Sequence, residues 1–389
     1  MDCRAFYREV YMVKKIDEIL KKTSDDPAAA KLSKVAAICA GLQKKFGKES
    51  VNFLGNSKAE LLPRIPTGSV VLDKITGGGF PEGRFIEVFG GEASGKTTLC
   101  YHVIAEFQKK YPDDVCAFVD EEGTFDPEYA ANVGVKVAEV ITSQPESGEN
   151  AFEMVQGLIQ AGVRLVVVDS VAALLPKDEA DSEEYGMQGV ALQARLLSQG
   201  LRKLNPFLNK YKATVVFTNQ TRTNIKITYG NPDQSVGGKA LRYYASIRLQ
   251  LNQSQKIKET VGGEEIIRGV EINAVTAKNK TSAPFQKGKF TIIFGKGIDN
   301  DAGIIEFAIA NGILVKKGGW FSYNGENVAQ GMANVRTYLE EHPDVYADIK
   351  KRVNEINAKA IGADQIEEVD EPEPDDLDKP DDDTEVGEV

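Results

Sequence analysis

Apolar residues recur at helical spacing in the first part of the chain. Residues 1–22 predict one amphipathic helix, and a second is predicted from Pro27 to Phe46, with Gly47 as its C-terminal cap. A short strand is predicted at residues 50–54. These elements are too few to bury their own apolar stripe, so we expect them to pack on the core of the protein or on a second copy.

From about Pro63 the pattern changes to short apolar runs that alternate with helical stretches. The predicted strands are Arg84–Phe89, Val115–Asp120, Val137–Thr142, Arg164–Asp169 and Ala213–Thr218. The predicted helices are Lys96–Lys109, Pro127–Val133, Ala151–Gln160 and Val190–Leu208. This alternation is typical of an α/β fold with a mainly parallel sheet flanked by helices. Strands added along one edge are predicted at Ala245–Leu251, Gly269–Thr276 and Gly288–Ile293.

The same patterns predict four parts of the chain. They are an N-terminal extension and arm at 1–60, the α/β core at 61–298, a small C-terminal α/β domain at 299–361, and a tail at 362–389. The small domain is expected to form around Trp320 and Tyr323. The tail is rich in Pro, Asp and Glu, so we expect it to be disordered.

Charge is distributed unevenly along the chain. The net charge is −11, but residues 364–389 hold 14 acidic residues and one lysine, a net of −13. The rest of the chain therefore carries −11 minus −13, or +2. We expect a slightly basic body that can bind polyanions, and an acidic tail that can compete for the same surface.

Composition argues against several classes of protein. There is no apolar run of about 18 residues, so no membrane span is expected, and the N-terminus fits neither a signal peptide nor a lipidation site. Four widely spaced cysteines are typical of reduced thiols in a cytoplasmic protein. Only His102 and His342 occur, which argues against a His-based metal site or a Ser-His-Asp triad.

The most specific pattern is Gly90–Thr97, which reads Gly-Gly-Glu-Ala-Ser-Gly-Lys-Thr between a predicted strand and a predicted helix. It is a complete G-x-x-x-x-G-K-[ST] phosphate-binding loop. Backbone amides and the helix N-terminus are expected to face the phosphates. We expect Lys96 to reach the β/γ-phosphates and the Thr97 hydroxyl to ligate Mg²⁺, so the chain is predicted to bind a nucleoside triphosphate.

Polar residues follow several of the predicted strands. Asp169 ends an apolar strand and is expected to hold a Mg²⁺ water beside the phosphate loop. Glu122 is the expected base that polarises the attacking water, whereas Asp120 and Glu121 lie nearer the strand and suit a structural role. The amide of Gln220 can sense the γ-phosphate, although a strand-end cap is the alternative.

A long polar stretch, Thr221–Gly238, follows that last strand and is unusual inside a compact domain unless it binds something. It combines the charge of Arg222, the bulk of Ile225 and the flexibility of Gly237 and Gly238. These properties suit contact with a single nucleic-acid strand, and a mobile surface loop is the alternative.

From Ser33 to about Glu355 the chain resembles the bacterial RecA recombinase family, and its departures from the family pattern suit a divergent bacterial or bacteriophage version. The resemblance is carried by Gly91–Thr98, Val167–Leu174, Phe217–Arg222, Lys278–Lys280 and Ala283–Phe285. It implies a DNA-dependent ATPase of the DNA-damage (SOS) response that forms a homo-oligomeric helical filament on single-stranded DNA. Such a filament pairs its strand with homologous double-stranded DNA and promotes strand exchange.

The resemblance also implies roles for individual residues, with ATP and Mg²⁺ as cofactors. The triphosphate ligands are Gly90, Gly91, Glu92, Ala93, Ser94, Gly95, Lys96, Thr97 and Thr98, with Asp169 near Mg²⁺. Asp126 and Tyr129 match the adenine contacts, and Lys278 and Lys280 match cations that reach the ATP of the neighbouring subunit. The DNA contacts are Arg195, Arg202, Arg222, Ile225, Gly237 and Gly238. Helix 32–46 and strand 50–54 match the subunit-joining arm.

Several positions depart from the family pattern. Gly91 stands where Pro is usual, and Arg242 stands where Lys is typical, which keeps the charge but changes its geometry. Asn324, Asn327 and Met332 replace lysines common in the C-terminal domain, which weakens the expectation that this domain gathers duplex DNA.

Two other functions compete with the recombinase. One is a ring-forming RecA-like helicase motor, and the other is a nucleotide-dependent regulatory scaffold with co-protease activity toward a self-cleaving repressor. Single-strand-binding or mediator proteins are further expected partners. The resemblance places a first DNA segment at about 178–189 and a second within 219–242. These two DNA segments, the arm at 32–54 and the C-terminal domain argue against the ring, and the intact set of Lys96, Glu122, Asp169 and Gln220 argues against an inactive ATPase.

Overall fold

A computed structural model describes residues 27–47, 51, 62–180, 189–223 and 233–361. The predicted helix at 1–22, all of the predicted strand at 50–54 except residue 51, and the acidic tail lie outside these ranges. The chain divides into two units, with the boundary between Pro63 and Arg64.

The first unit contains helix α1, Pro27–Phe46, at the predicted bounds. The N–H of Gly47 donates to the carbonyl of Gln43 at 2.9 Å, and its φ of 102° is the left-handed value expected of a helix cap. Large apolar side chains on this helix are exposed, namely Val35, Ile38, Leu42 and Phe46. Their spacing places them along one face of α1.

The second unit is built on a large sheet flanked by helices. The first twelve strands of this unit are β1 Arg64–Ile65, β2 Phe80–Pro81, β3 Phe85–Gly90, β4 Cys116–Asp120, β5 Val140–Ser143, β6 Leu165–Asp169, β7 Thr214–Thr223, β8 Asp233–Ser235, β9 Ile247–Val261, β10 Glu264–Asn279, β11 Lys287–Ile293 and β12 Gly297–Ile298. The accompanying helices are α2 Val70–Thr76, α3 Lys96–Lys110, α4 Pro127–Val133, α5 Gly148–Gln160, α6 Lys177–Ala180, α7 Gly189–Tyr211 and α8 Ala240–Tyr244.

The order of strands in the large sheet is β12-β11-β10-β9-β3-β7-β6-β4-β5, with β8 paired to the end of β7. Strands β9, β3, β7, β6, β4 and β5 run parallel, and β10, β11 and β12 add antiparallel strands along one edge. The predicted α/β fold is confirmed. The carboxyl ends of the parallel strands share one side of the sheet, where the phosphate loop and the polar strand ends meet.

Four predicted strands differ clearly from the structure in length, and one of them, Ala213–Thr218, continues to Thr223 as β7. Strands β9 and β10 extend well beyond the predicted Ala245–Leu251 and Gly269–Thr276 as a two-stranded ribbon. Most of this ribbon is exposed on both faces, so it lacks the alternation of apolar and polar residues that marks a half-buried strand. The predicted strand Val137–Thr142 begins only at Val140, because Val137–Glu139 forms a 3₁₀ helix.

Apolar layers cover both faces of the sheet and fix the strands. On one face, Leu99 and Phe107 of α3 pack in the same core as Phe118 of β4. On the other face, Phe152 of α5 and Leu201 of α7 belong to a second core. Burying one such side chain contributes about 1.5–3 kcal/mol, so the strand ends that hold the site are held firmly.

A smaller group of elements follows the large sheet. It comprises the antiparallel strands β13 Leu314–Lys317, β14 Trp320–Tyr323 and β15 Glu326–Gln330, with helices α9 Asn300–Ala310, α10 Met332–Glu341 and α11 Pro343–Ile361. Phe321 and Tyr323 lie in its core. The expectation that Trp320 also lies there is wrong, because alternation along β14 turns Trp320 outward and leaves it 48% exposed. Within the described ranges, no helix has the length and apolarity needed to cross a bilayer.

Candidate nucleotide site and nucleic-acid contacts

The phosphate loop connects β3 to α3, as the sequence predicted. A Cβ at Gly90 would lie 2.0 Å from the carbonyl oxygen of Leu251, so only glycine allows this close approach of β9. Gly95 has a φ of 81°, and a Cβ there would lie 2.3 Å from Cδ1 of Ile292. Helix α3 begins directly after Gly95, so its free amides and positive dipole end face the loop.

Lys96, Thr97 and Asp169 lie together at the start of α3. The Nζ of Lys96 donates to the carbonyl of Gly91 at 2.7 Å, and burial lowers the pKa of this lysine. The hydroxyl of Thr97 donates to Asp169 Oδ2 at 2.6 Å, and the hydroxyl of Thr218 donates to Oδ1. Burial raises the pKa of Asp169. A hydroxyl and a carboxylate beside a phosphate loop fit Mg²⁺, which prefers oxygen ligands and few protein donors.

Glu122 and Gln220 are brought together from different strand ends. Glu122 Oε1 accepts hydrogen bonds from Ser170 Oγ and from Gln220 Nε2, the latter at 3.3 Å. Asp120 instead accepts from the N–H groups of Thr124 and Phe125 and so holds the following loop. This contact supports the structural role suggested for Asp120.

Glu121 lies beside this pair in an unusual environment. Its Oε1 is buried and has no hydrogen-bond partner among the described residues. Burial, and then the neighbouring charge of Asp120, raises the pKa of Glu121 to about 7. This carboxyl group therefore changes charge near neutral pH, next to the expected base.

A pocket of about 510 Å³ opens beside the phosphate loop and includes both residues expected to contact adenine. Asp126 Oδ1 accepts from the N–H of Tyr129 at 2.9 Å and caps α4, and the hydroxyls of Tyr129 and Thr98 lie 3.1 Å apart. Phe294, which is 55% exposed, also lines this pocket. Phe294 was not predicted from the sequence, because its only signal there is an aromatic residue at the end of an apolar strand.

Lys278 and Lys280 are not brought to the phosphate loop of their own chain. Lys278 pairs with Arg248 near the start of β9, whereas the loop follows Gly90, which pairs with Leu251. The lysines therefore lie at the opposite end of the sheet, and both donate to the carbonyl of Tyr243. Burial, and then the charges of Lys280 and Arg248, lowers the pKa of Lys278 to about 8.

The residues expected to contact DNA are partly described. Arg195 and Arg202 are exposed on α7. A Cβ at Gly237 would lie 2.2 Å from Leu197 Cδ1, so the end of the second DNA segment packs against the same helix, and Gly238 follows it there. The backbone of Arg222 pairs with β8, while its side chain and the whole of Ile225 lie outside the described part of the chain.

A phosphate loop between a strand and a helix of a parallel sheet defines a P-loop nucleotide-binding protein. The models of two protein families match this chain: the RecA N-terminal domain over residues 33–299 and the RecA C-terminal domain over residues 302–357. The chain therefore belongs to the RecA family, and the resemblance seen in the sequence is confirmed.

Curated relatives agree with these matches. Protein RecA of Synechococcus elongatus is 42% identical over 348 residues, which cover 87% of this chain and 96% of that protein. Protein RecA of Picosynechococcus is 43% identical over 315 residues, 81% of this chain and 89% of that protein. Protein RecA of Thermosynechococcus vestitus is 45% identical over 315 residues, 81% of this chain and 87% of that protein.

Proposed function

We propose that this member of the RecA family is an ATP-dependent DNA recombinase. It polymerises on single-stranded DNA as a helical filament, pairs that strand with homologous duplex and exchanges strands, with DNA-dependent ATP hydrolysis driving turnover. The observation that carries this proposal is the hydrogen bond between Gln220 and Glu122, which joins the expected base to the strand leading into the second DNA segment. Matches to both RecA domain families favour the recombinase over a ring-forming motor or a regulatory scaffold.

The phosphate loop and its neighbours supply the hydrolytic site. Backbone amides of the loop and Lys96 bind the phosphates, and Thr97 and Asp169 hold Mg²⁺, which neutralises charge that develops on the phosphoryl group. Glu122 orients and polarises the attacking water. The side-chain amide of Gln220 donates a hydrogen bond to a carboxylate oxygen of Glu122, so a shift of Gln220 changes how Glu122 is held.

The pocket beside the loop suits a purine base. Tyr129 and Phe294 both line it, so two aromatic rings are available to stack on the base. The carboxylate of Asp126 can accept a hydrogen bond from the exocyclic amine of adenine, whereas guanine presents an acceptor at the matching position. These features favour ATP as the nucleotide.

Hydrolysis in this proposal requires two adjoining copies. Lys278 and Lys280 lie away from their own phosphate loop, since Lys278 is level with Glu87 through Arg248, and the strand from Glu87 to Gly90 alone spans about 10 Å. In this proposal they act on the nucleotide of a neighbour, in the manner of other cations supplied in trans to phosphoryl transfer. Tyr243 in α8 and Phe285, between β10 and β11, are each 70% exposed and suit contact with a second copy.

The arm and the DNA contacts complete the proposed assembly. The exposed apolar face of α1, with Ile38 at its centre, suits packing on a neighbouring subunit. Arg195 and Arg202 offer charge to a DNA backbone. A self-cleaving repressor, single-strand-binding proteins and mediator proteins stay predicted partners, and the cytoplasm stays the predicted location.

The decisive experiment measures ATP hydrolysis with and without single-stranded DNA and images the same samples by negative-stain electron microscopy. We expect DNA to stimulate hydrolysis and helical filaments to form on it. Lys96→Ala is the control and should abolish hydrolysis, because the phosphates lose their cation. Closed rings on DNA, or hydrolysis that is equally fast in isolated monomers without DNA, would contradict the proposal.

A further inference from the structure

A buried ionic network lies beneath the phosphate loop. The side chains of Glu87 in β3 and Asn219 in β7 are both 0% exposed. Arg248 Nε, from β9, donates to Glu87 Oε2, and Asn219 Nδ2 donates to Glu87 Oε1 at 3.0 Å. Glu87 therefore ties the strand that carries the phosphate loop to both strands that flank it.

The same asparagine holds the two flanks of the second DNA segment together. Its Nδ2 also donates to the carbonyl of Val236 at 2.9 Å, and the N–H of Val236 donates to the carbonyl of Gln220 at 3.1 Å. Beyond these contacts, β7 and β8 pair from Thr221↔Ser235 outward. The base of this ladder is thus fixed to Glu87 through one amide group.

On its other side the network reaches the strand that bears the trans-acting lysines. Arg248 pairs with Lys278 in the register of β9 and β10, and the charges of the two side chains interact. The Arg248 guanidinium also lies 4.4 Å from the ring centroid of Phe89, in the same strand as Glu87. One carboxylate therefore lies between the subunit-facing lysines and the base of the DNA segment.

Burial makes this arrangement stiff. A buried carboxylate is costly unless it is paired and hydrogen-bonded, and removing one partner of such a pair leaves an uncompensated charge. Both oxygens of Glu87 are engaged, so a displacement of Asn219 relative to Arg248 must break a contact with the buried charge. The three side chains are therefore expected to move together.

We infer that Glu87 is a positioning residue that couples DNA contact at the flanks of β7 and β8 to the placement of Gln220 in the ATPase site. This inference rests on the proposed function, since it assumes that DNA and ATP binding are coupled. Glu87 is fully buried and acts through Asn219, which precedes Gln220 in β7.

The test compares the affinity for a fluorescent single-stranded DNA oligonucleotide with and without a non-hydrolysable ATP analogue. The ratio of the two affinities measures the coupling, which spans about 5- to 150-fold in typical allosteric proteins. We expect Asn219→Ala to reduce this ratio by about fivefold or more, because Val236 and Glu87 lose their shared donor. Asn357→Ala is the matched control, since Asn357 is also buried but lies in α11, and it should leave the ratio unchanged.

A second variant distinguishes a loss of coupling from a loss of folded structure. Glu87→Leu combined with Arg248→Met removes both buried charges, an exchange that proteins often tolerate without loss of stability. It should also reduce the ratio, while circular dichroism shows a folded protein. If the unaltered protein shows no ATP-dependent change in DNA affinity, the proposed function and this inference both fall. If that change is present and either folded variant keeps the full ratio, the inference alone is contradicted.

Discussion

Two glycines of the phosphate loop differ in what a side chain would meet. Gly95 has a φ of 81° and lies against Ile292, whereas a Cβ at Gly91 would have nothing within 4 Å. The open space at Gly91 explains why the loop accepts a residue other than the usual proline there. It also makes the pair a matched test of the loop geometry.

Gly95→Ala should weaken nucleotide binding, and Gly91→Ala should leave it nearly unchanged. An L-residue in the left-handed region costs about 1–2 kcal/mol, so we expect roughly a tenfold or greater loss of affinity for Gly95→Ala. Titration with a fluorescent ATP analogue measures both variants. Equal affinities for the two variants would show that the loop tolerates either backbone, contrary to the structure.

Glu121 predicts a dependence of stability on pH. Its pKa rises from 4.5 to about 7 in the folded protein because of burial and then Asp120. The folded state therefore holds this proton more tightly than the unfolded chain does. The resulting stabilisation is fully present below about pH 4.5 and is lost as the pH rises toward 7.

Glu121→Gln should remove this loss, because a neutral amide does not titrate. Allowing for solvent screening of a partly exposed group, we expect a gain of about 1 kcal/mol in the free energy of unfolding at pH 8 and little change at pH 4. Thermal unfolding at the two pH values measures it. Glu153→Gln, at an exposed position on α5, is the control, and an equal gain from that variant would argue against a specific role of Glu121.

The sequence predicts candidate site residues where their spacing is fixed. Lys96 and Thr97 follow from a complete motif, and Asp169 and Glu122 follow from strand ends that must share one side of a parallel sheet. Phe294 could not be found in this way, because its place in the pocket depends on antiparallel strands added after the motif. The Glu87 network was also missed, since a single acidic residue inside an apolar strand has no spacing pattern.

Among the elements, α1 shows the largest mismatch between apolar character and burial. Ile38 is 62% exposed at the centre of its apolar face. Monomeric proteins rarely leave such a continuous stripe in water, which favours a neighbouring subunit as its partner. If a neighbouring subunit covers this face, α1 contributes to strand exchange by holding the assembly together.

Ile38→Asp should prevent assembly without unfolding the chain. A charge at the centre of an apolar contact is costly to bury, whereas it costs little on an exposed helix face. Analytical ultracentrifugation with ATP analogue and single-stranded DNA should show loss of the large assemblies, with an unchanged melting temperature. Ser33→Asp, on another face of α1, should assemble normally, and assembly of both variants would refute the role of the helix.

Helix boundaries were predictable where the sequence carries capping residues. Helix α4 matches its prediction at both ends, because Asp126 caps it and Gly134 ends it with a φ of 106°. The outer part of the ribbon of β9 and β10 was not predictable. Neither of its faces packs on a core, and its charged residues follow no regular spacing.

At the scale of the whole molecule, the separation of charge is the main feature. Residues 364–389 carry −13 and the rest of the chain +2. Duplex DNA and the tail are both polyanions, so we expect them to compete for the same basic surface.

Deletion of residues 364–389 should strengthen binding to duplex DNA at low salt by about three- to tenfold, and the difference should shrink as salt rises. Fluorescence anisotropy with a labelled duplex over a range of salt concentrations measures this change. A tail of equal length with neutral residues should behave like the deletion. An affinity that does not change at low salt would rule out competition by the tail.

In the proposed assembly, where Lys278 of one copy reaches the nucleotide of the next, a row of copies has two chemically different termini. The copy at one terminus holds nucleotide without a neighbour's lysines, and the copy at the other presents lysines to no nucleotide. Each nucleotide site inside the row has a neighbour's lysines, so the fraction of sites with these lysines grows with the number of copies in the row. Turnover per copy should therefore increase with length, and the two termini should shed subunits at unequal rates, which gives growth a direction.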